Sequence, residues 1–403
     1  MRMSGLGHRD GRIVYDCGNT SDSPVIAFAG GGTGGHLYPA LAIADALRKR
    51  LPDVTFLFFG TERSIDSRIV GGADYELVRQ HLPPIRKVPW SWPGTLMGLR
   101  QSTLQCRARF HCGRPMVVIG TGGLASLAPI REARRANVPT AILNPDAVLG
   151  RANRLLSTLV DIVFVQWPDT VSHLSRAARV QVSGCPVRPE FNTATRQAGI
   201  ERFDLDGSLK TLLVTGASQG AHSINQAVIA NIELFESLSD WQVLHLTGDR
   251  DYQEVCDAYK DRPVCARVYA YTDQMAEALA AADLVVARAG ASTLAEITAV
   301  GRPAILMPYP FHRDMHQLAN ARCLVRASAA RIVTDAVESA VNGPELRAVL
   351  EQLMCEDQAR QQMAEAARRI GHGDAGAVIA AQVLALAHRR GTIPSGESVE
   401  QTC

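Results

Sequence analysis

Short apolar runs alternate with amphipathic stretches along most of the chain, and this pattern begins at Pro24. Residues 25–29 are apolar and end in glycines, as is typical of a buried parallel strand. Residues 39–50 carry apolar positions at helical spacing and end in basic residues, which favour the negative end of a helix dipole. Further strands are predicted at 54–59, 117–119 and 140–143. Strands separated by helices at this interval predict βαβ units and a parallel sheet.

The same alternation restarts in the second half of the chain, with strands predicted at 212–215, 243–246, 284–287 and 304–307. The fold class predicted is α/β, with two doubly wound Rossmann-like parallel-sheet domains that face each other across a cleft. The predicted segments are an extension (1–23), a first domain (24–187), a polar linker (188–209), a second domain (210–372), a terminal helix (373–388) and a disordered tail (389–403).

The composition argues against several classes of protein, including nucleic-acid-binding and membrane-spanning proteins. Apolar residues make up 46% and charged residues 20% of 403 residues, which is typical of a globular protein. A net charge of +2 argues against nucleic acid as the main partner. No apolar run approaches the roughly 20 residues of a membrane-spanning helix, and the first residues lack the apolar core of a secretion signal. The scattered cysteines form no Cys-x-x-Cys pair, so no zinc site is predicted.

Glycine-rich turns follow strands at 30–36, 120–123, 215–221 and 288–293. Glycine lets a backbone approach a ligand closely, and a helix N-terminus favours an anion such as a diphosphate. The first turn lacks a Walker A lysine, and Glu62 lies about 30 residues beyond it, not the ~20 of a dinucleotide fingerprint. Because open α/β sheets bind ligands at the carboxyl ends of their strands, the sequence predicts a cleft that grips a phosphorylated ligand from both domains.

Residues near the fourth turn and in the linker allow more than one interpretation. Thr293 and Glu296 fit a capping box, in which the carboxylate closes a helix N-terminus; alternatively, Glu296 accepts hydrogen bonds from the two hydroxyls of a ribose. Arg288, just past a buried strand, holds either a phosphate or an internal carboxylate. Asp204-Leu205-Asp206 has the DxD pattern that holds a divalent ion in some glycosyltransferases, but in a linker such carboxylates are solvated, so we expect no metal there.

Several motifs occur in a fixed order: Gly31-Gly32-Thr33-Gly34-Gly35-His36 with Pro39-Ala40; Gly216-Ala217-Ser218-Gln219-Gly220-Ala221 with Asn225; Ala289-Gly290-Ala291-Ser292-Thr293-x-x-Glu296; and Asp314-x-x-Gln317-x-x-Asn320-Ala321. From about residue 25 to about residue 387 the chain closely resembles the bacterial MurG-type glycosyltransferases of glycosyltransferase family 28, which adopt the two-domain GT-B fold. The resemblance implies an inverting transfer of N-acetylglucosamine from UDP-N-acetylglucosamine to the C4 hydroxyl of undecaprenyl-diphosphate-N-acetylmuramoyl-peptide (lipid I), giving lipid II, without cofactor or metal.

The resemblance also implies substrate-binding positions, with the donor on the second domain and the acceptor on the first. Thr272 falls where a backbone group reads the uracil, Glu296 on the ribose-binding carboxylate and Gln317 on a glutamine that reads sugar hydroxyls. The remaining implied positions are Thr33, Gly34, Gly35, Asp146, Arg188, Ser218, Ala291, Ser292, Thr293, Leu294 and Ala295, of which Ser218 and the turn 291–295 would bind the diphosphate.

A general base must take the proton of the acceptor hydroxyl. His36, at the mouth of the first glycine turn, is the candidate because an imidazole titrates near neutral pH; alternatively it only orders the turn. Asp146 and His316 are weaker candidates. The family commonly has His-Glu-Gln-Asn where this chain has Leu143-Asn144-Pro145-Asp146, which leaves open a different lipid acceptor, a UDP-sugar epimerase, a nucleotide-sugar sensor and, from the first turn alone, a nicotinamide-dependent oxidoreductase.

The segment 82–131 contains no acidic residue. Its basic residues are Arg86, Lys87, Arg100, Arg107, Arg109, Arg114 and Arg131, and among them lie Trp90, Trp92, Leu96, Met97 and Leu99. This combination predicts docking onto an anionic membrane surface; the alternative is a solvated loop with its tryptophans in the core. The resemblance implies a peripheral protein at the cytoplasmic face of the bacterial inner membrane.

Overall fold

The computed structural model describes residues 7–9, 12–14, 23–83, 92–174, 179–217, 220–311 and 314–392. Within the segment predicted as an extension without regular structure, β1 (Gly7–Arg9) and β2 (Arg12–Val14) form a short antiparallel pair. From residue 25 onward, strands and helices alternate as the sequence pattern predicts.

The first domain is a parallel sheet with helices on both faces. Its strands are β3 (Val25–Gly30), β4 (Thr55–Thr61), β5 (Glu76–Gln80), β6 (Val117–Gly122), β7 (Thr140–Asn144), β8 (Ile162–Val165) and β9 (Arg179–Val182), and its helices are α1 (Gly34–Arg48), α2 (Ser64–Gly72), α3 (Trp92–Cys112), α4 (Leu127–Arg135) and α5 (Arg151–Leu156). The seven strands lie in the order β5-β4-β3-β6-β7-β8-β9. The central strands are apolar and buried throughout, which is why their sequences read as continuous apolar runs.

The second domain repeats this architecture. Two short helices, α6 (Glu190–Thr193) and α7 (Arg196–Arg202), precede it. Its strands are β10 (Lys210–Thr215), β11 (Trp241–Leu246), β12 (Ala266–Tyr269), β13 (Leu284–Ala287), β14 (Ala304–Leu306) and β15 (Ala330–Ile332), and its helices are α8 (His222–Ile229), α9 (Ile232–Ser237), α10 (Tyr252–Tyr259), α11 (Met275–Ala281), α12 (Ala291–Val300), α13 (His316–Arg326) and α14 (Ser339–Cys355). The six strands lie in the order β12-β11-β10-β13-β14-β15. The predicted class, two doubly wound parallel-sheet domains, is confirmed.

The segment predicted as a linker, residues 188–209, is folded and packs against the second domain. Residues 188–209 contain α6 and α7, and Phe191, Phe203 and Leu205 are buried in the core of the second domain. Trp167 of the first domain is buried in the same apolar cluster. The two domains therefore share apolar packing at their junction.

The chain ends with α15 (Asp357–Ile370) and α16 (Ala375–Arg389). By length and composition alone the stretch Asp357–Arg389 is apolar enough to cross a membrane, contrary to the sequence expectation. In the structure it is two helices, and Val383 and Leu384 of α16 are buried in the core of the first domain, while Met363 of α15 is buried in the second. Its apolar character is therefore explained by packing across both domains.

Candidate active-site cleft

The strand order places all four glycine turns at the centre of the two sheets. The chain winds outward from β3 through β5 and then returns to start again at β6, and it does the same from β10 through β12 before β13. The predicted turns follow β3, β6, β10 and β13, the strands on either side of these two switch points. Because helices leave such neighbouring strands on opposite faces, a crevice opens between the loops.

A buried carboxylate that the sequence did not reveal shapes the first glycine turn. Asp66 of α2 accepts hydrogen bonds from the backbone amides of Gly32 (2.7 Å) and Thr61 (2.6 Å). A side chain at Gly31 would collide with this carboxylate, so the turn requires glycine at that position. The bond to Gly32 joins residues 34 positions apart, which is why no local pattern in the sequence indicated it.

The geometry of His36 fixes which ring nitrogen is available. Its Nδ1 lies 3.0 Å from the carbonyl oxygen of Gly31 and 3.4 Å from the hydroxyl of Thr33. Since a carbonyl only accepts, Nδ1 of the neutral ring carries the proton and Nε2 keeps its lone pair. A Cβ at Gly122 would lie 2.9 Å from Nε2, so the ring occupies space left by a missing side chain. His36 therefore orders the turn, and in the neutral ring Nε2 is the nitrogen with a free lone pair.

The N-termini of two helices meet across the cleft. Thr33, Gly34 and Gly35 lead into α1, and Gly290 leads into α12; neither helix has a side-chain cap. A Cβ on Gly35 would lie 3.7 Å from the hydroxyl of Ser292, and that buried hydroxyl makes no hydrogen bond. Uncapped amides and an unpartnered hydroxyl at positive helix ends suit an anionic ligand.

The first turn of α12 offers backbone amides together with the Ser292 hydroxyl. The side chains of Ala291, Leu294 and Ala295 are buried, whereas Ser292 and Thr293 are partly exposed. This distribution agrees with a diphosphate that contacts amides. Ser218, the other residue predicted to bind the diphosphate, lies outside the described residues.

Glu296 is not a cap. Helix α12 begins at Ala291 with Gly290 at its N-cap, so Thr293 and Glu296 lie inside the helix and the capping-box alternative is wrong. Burial raises the pKa of Glu296 to about 7, opposed by the positive charge of Arg188 and reinforced by the negative charge of Glu190. Such a carboxylate, held away from water in a cleft, is a candidate for binding ligand hydroxyls.

Arg188 lies between the two domains, beside Glu296. Its guanidinium stacks 5.2 Å from the ring centres of both Tyr38 and Phe191 and pairs with Glu190 at 3.1 Å. Its Nε is buried without a hydrogen-bond partner. Arg188 thus keeps an unused donor in the cleft, as expected of a residue that contacts the donor substrate.

Arg288 binds an internal carboxylate, which settles the two alternatives. It is buried, and it donates to Asp335 (2.6 Å), to the carbonyl of Met307 (2.8 Å) and to Ser223 (2.8 Å). These bonds tie β13 to β14 and α8. Arg288 therefore holds together the loops at the carboxyl ends of β13 and β14.

Thr272 lies in a pocket of about 230 Å³ at the edge of the second domain, lined by residues that include Phe203, Tyr269 and Tyr271. Its hydroxyl accepts from the backbone amide of Gln274 (3.0 Å) at the start of α11. Burial and hydrogen bonds raise the pKa of Tyr271, which reaches Tyr38 of the first domain. Tyr38 and Tyr271 were not predicted, because their contact exists only between domains.

Gln317 and Asp146 are both engaged by other protein groups. The Gln317 side chain accepts from the backbone amide of Tyr309 at 2.9 Å. The Asp146 carboxylate accepts from the amide of Asn320 at 2.9 Å. Asp146 therefore lies at the contact between the domains, and its predicted sugar contact is not tested by the structure. His316 pairs with Asp314 at 2.8 Å.

The carboxylates suspected of metal binding have other partners. Asp204 pairs with Arg267 at 2.7 Å, and Asp206 accepts from the amide and hydroxyl of Ser208. Glu62, the acidic residue of the dinucleotide interpretation, pairs with His81 at 2.7 Å and is exposed. Each of these carboxylates is thus engaged by a neighbouring side chain or backbone group.

Two facing doubly wound domains with ligand loops at their switch points define a GT-B fold. Family models of the glycosyltransferase family 28 N-terminal and C-terminal domains match residues 26–165 and 211–380. The chain belongs to glycosyltransferase family 28. In fold it is similar to Acinetobacter baumannii MurG in a crystal structure, with a TM-score of 0.72, 22% identity, and coverage of 90% of this chain and 99% of that one.

Two relatives carry the same descriptive name. A protein of Halothermothrix orenii is 37% identical over 355 residues, covering 86% of this chain and 94% of the relative. A protein of Sorangium cellulosum is 40% identical over 372 residues, covering 90% and 88%. Both are named UDP-N-acetylglucosamine–N-acetylmuramyl-(pentapeptide) pyrophosphoryl-undecaprenol N-acetylglucosamine transferase. The resemblance to MurG-type enzymes is confirmed.

The raised pKa of Glu296 predicts a pH dependence of stability. Between its ordinary value of 4.5 and about 7, folded Glu296 holds a proton that the unfolded chain has released, so folding loses stability as pH rises through this window. We expect Glu296→Gln to match the wild type in Tm near pH 4.5 and to exceed it increasingly up to about pH 7, above which the difference levels off. Parallel Tm curves for the two proteins would contradict the assignment.

Proposed function

We propose that this chain transfers N-acetylglucosamine from UDP-N-acetylglucosamine to the muramyl C4 hydroxyl of undecaprenyl-diphosphate-N-acetylmuramoyl-peptide. The observation that carries the proposal is the partly buried carboxylate of Glu296 in α12, the helix whose uncapped N-terminus faces the glycine turn of the first domain. The names of the relatives supply the sugar and the lipid acceptor; the geometry supplies a place for a ribose and a diphosphate.

The donor is held mainly by the second domain. The pocket at Thr272 has aromatic walls that suit a uracil, and Glu296 accepts from the two ribose hydroxyls. Those hydrogen bonds favour the ionised carboxylate, so donor binding offsets the burial that raises its pKa. The amides at Ala291 and Ser292, together with the Arg188 guanidinium, stabilise the diphosphate and the charge that builds on it as UDP leaves.

The transfer is a single displacement. The acceptor oxygen forms a bond to the anomeric carbon, the bond to the diphosphate oxygen breaks with its electron pair going to UDP, and the acceptor proton goes to His36 Nε2. His36 is favoured as the base because the carbonyl of Gly31 holds the proton on Nδ1. Asp146 and His316 are already engaged with Asn320 and Asp314.

The altered tetrapeptide 143–146 keeps a different lipid acceptor as the second candidate function. The pattern beyond it (Gly150, Asn153, Arg154) is retained, and Asn153 donates to the carbonyl of Leu143 at 3.1 Å. Transfer of label to a lipid I analogue distinguishes the two, because an enzyme with another lipid acceptor, like an epimerase or a sensor, would leave lipid I unlabelled.

The acceptor is a lipid, and we infer that α3 docks the enzyme onto the cytoplasmic surface of the membrane. Leu96 and Met97, 65% and 75% exposed, lie near the start of α3 with Arg100 exposed beside them. Arg107 and Arg109 pair with Glu132 and Glu76, and Arg114 donates to backbone carbonyls. Arg86, Lys87 and Trp90 lie outside the described residues. The exposed apolar side chains of Leu96 and Met97 therefore support docking more than the paired arginines do.

In a direct assay, purified protein is incubated with labelled UDP-N-acetylglucosamine and a short-chain lipid I analogue. We expect label to enter the lipid at the same rate with and without a chelator, because amides and Arg188 meet the developing charge. In the same assay His36→Ala should lower kcat by about 10²- to 10⁴-fold and change the donor KM little.

Loss of transfer with chelator would contradict the metal-free mechanism and direct attention back to Asp204 and Asp206. An effect of His36→Ala on donor KM alone would leave His36 with only its role in ordering the glycine turn.

For docking, we expect Leu96→Gln combined with Met97→Gln to reduce sedimentation with vesicles of phosphatidylglycerol and phosphatidylcholine at low salt, because the change removes apolar area that would enter the interface. The control is Val341→Gln, an exposed apolar residue of α14 on the second domain. Equal sedimentation of the double variant and the wild type with the vesicles would contradict the docking proposal.

A further inference from the structure

One face of α13 contacts the first domain through polar groups. Asn320, Cys323 and Arg326 recur at every third position and so lie along one side of the helix. Asn320 bonds to Asp146 and to Ala147, and Cys323 and Arg326 contact Asp169. Gln317, three residues before Asn320, is the position predicted to read the donor sugar.

The inner contact uses both donors and the oxygen of the buried Asn320 side-chain amide. Asn320 is fully buried. Its Oδ1 accepts from the backbone amide of Ala147 at 2.7 Å, and its Nδ2 donates to Asp146 at 2.9 Å and to the carbonyl of Ala289 at 3.2 Å. Ala289 belongs to the turn that leads into α12. One side chain thus joins the first domain, α13 and the donor turn.

The loop on the other side is equally fixed. Asn144 donates to the carbonyl of Asp146 at 2.6 Å, and Asn153 donates to Asn144 at 3.0 Å. Thr170 donates to the carbonyl of Ala147 at 3.2 Å. These groups are buried, and a buried polar network holds its geometry tightly because each lost bond leaves an unsatisfied group. The loop in which this chain departs from the family pattern is therefore a rigid partner for α13.

The outer contact is an exposed ion pair between Arg326 and Asp169. Exposed pairs contribute little on their own. Its position matters more than its strength. It lies at the exposed edge of the contact between α13 and the first domain, whereas Asn320 lies at the buried centre of that contact. Together the two contacts set one orientation of the second domain relative to the first.

We propose that Asp146 is a positioning residue that acts through Asn320. The Asp146–Asn320 contact, with Arg326–Asp169 at the rim, forms a latch that holds Gln317 and Glu296 opposite the His36 turn. Asp146 then serves the reaction without touching the donor sugar. The kinetic consequence rests on the proposed transferase activity; the latch itself does not.

The amide of Ala147 reports directly on the latch, because its acceptor is Asn320. In hydrogen exchange of the full-length protein, we expect Asp146→Ala and Asn320→Ala each to speed exchange of the peptide containing Ala147 by about tenfold or more. The double variant should exchange no faster than the stronger single variant, since both remove one unit. Asp146→Asn keeps an acceptor oxygen and should stay within about threefold of the wild type.

Arg326→Ala keeps the test independent of buried substitutions. We expect it to speed the same exchange by up to about fivefold, whereas Arg347→Ala, which breaks an exposed Arg347–Glu351 pair within α14, should have no effect. In the transfer assay Asp146→Ala should lower kcat/KM, and Asp146→Asn should recover most of it.

A rise in donor KM for Asp146→Ala without faster Ala147 exchange would overturn the proposal and make Asp146 a sugar ligand. Additive exchange effects of Asp146→Ala and Asn320→Ala, or equal behaviour of Arg326→Ala and Arg347→Ala, would also overturn it. If the wild type transfers no sugar, the exchange results still decide on the latch, so the two failures can be told apart.

Discussion

The whole site depends on one constraint: the positions at which the strand order reverses in the two sheets lie opposite each other. In each sheet the chain leaves the centre in opposite directions, so the loops after β3 and β6, and those after β10 and β13, border an open crevice. Turning the two crevices toward each other brings the N-terminus of α1 to that of α12. Backbone amides at these helix ends have no side-chain caps, and such positive helix ends suit an anionic group such as a diphosphate.

Buried polar groups keep this arrangement rigid. Asp66 fixes the first glycine turn, Arg288 ties the donor loops to Asp335, and Asn320 joins the domains. Each has its hydrogen-bonding partners, as buried charges and amides require. None is placed to contact substrate through the groups already bonded. Ser292 and Arg188, which are predicted to bind the donor, each keep a buried polar atom without a hydrogen-bond partner.

Much of the fold followed from the sequence, because continuous apolar runs ending in glycine mark central parallel strands. The four glycine-rich segments lie at the carboxyl ends of these strands for the same reason, although Gly120 and Gly122 belong to β6 itself. Contacts between distant segments could not be predicted from the sequence, because they form only in the folded chain. They are the contacts of Asp66 with the glycine turn, of Arg288 with Asp335 and of Asp146 with Asn320. The cap assigned to Thr293 failed because Gly290, in extended conformation, starts α12 earlier. Helix α3 was not predicted, since its apolar residues do not follow helical spacing.

The central claim is that a UDP-sugar lies in the cleft, bound chiefly by the second domain. Calorimetric titration with UDP-N-acetylglucosamine in the presence of chelator tests it most directly. The account predicts one site per chain in the wild type, severe weakening in Glu296→Ala, and unchanged binding in Glu62→Ala, which alters the exposed carboxylate paired with His81. Absence of binding to the wild type, or equal binding by the two variants, would contradict it.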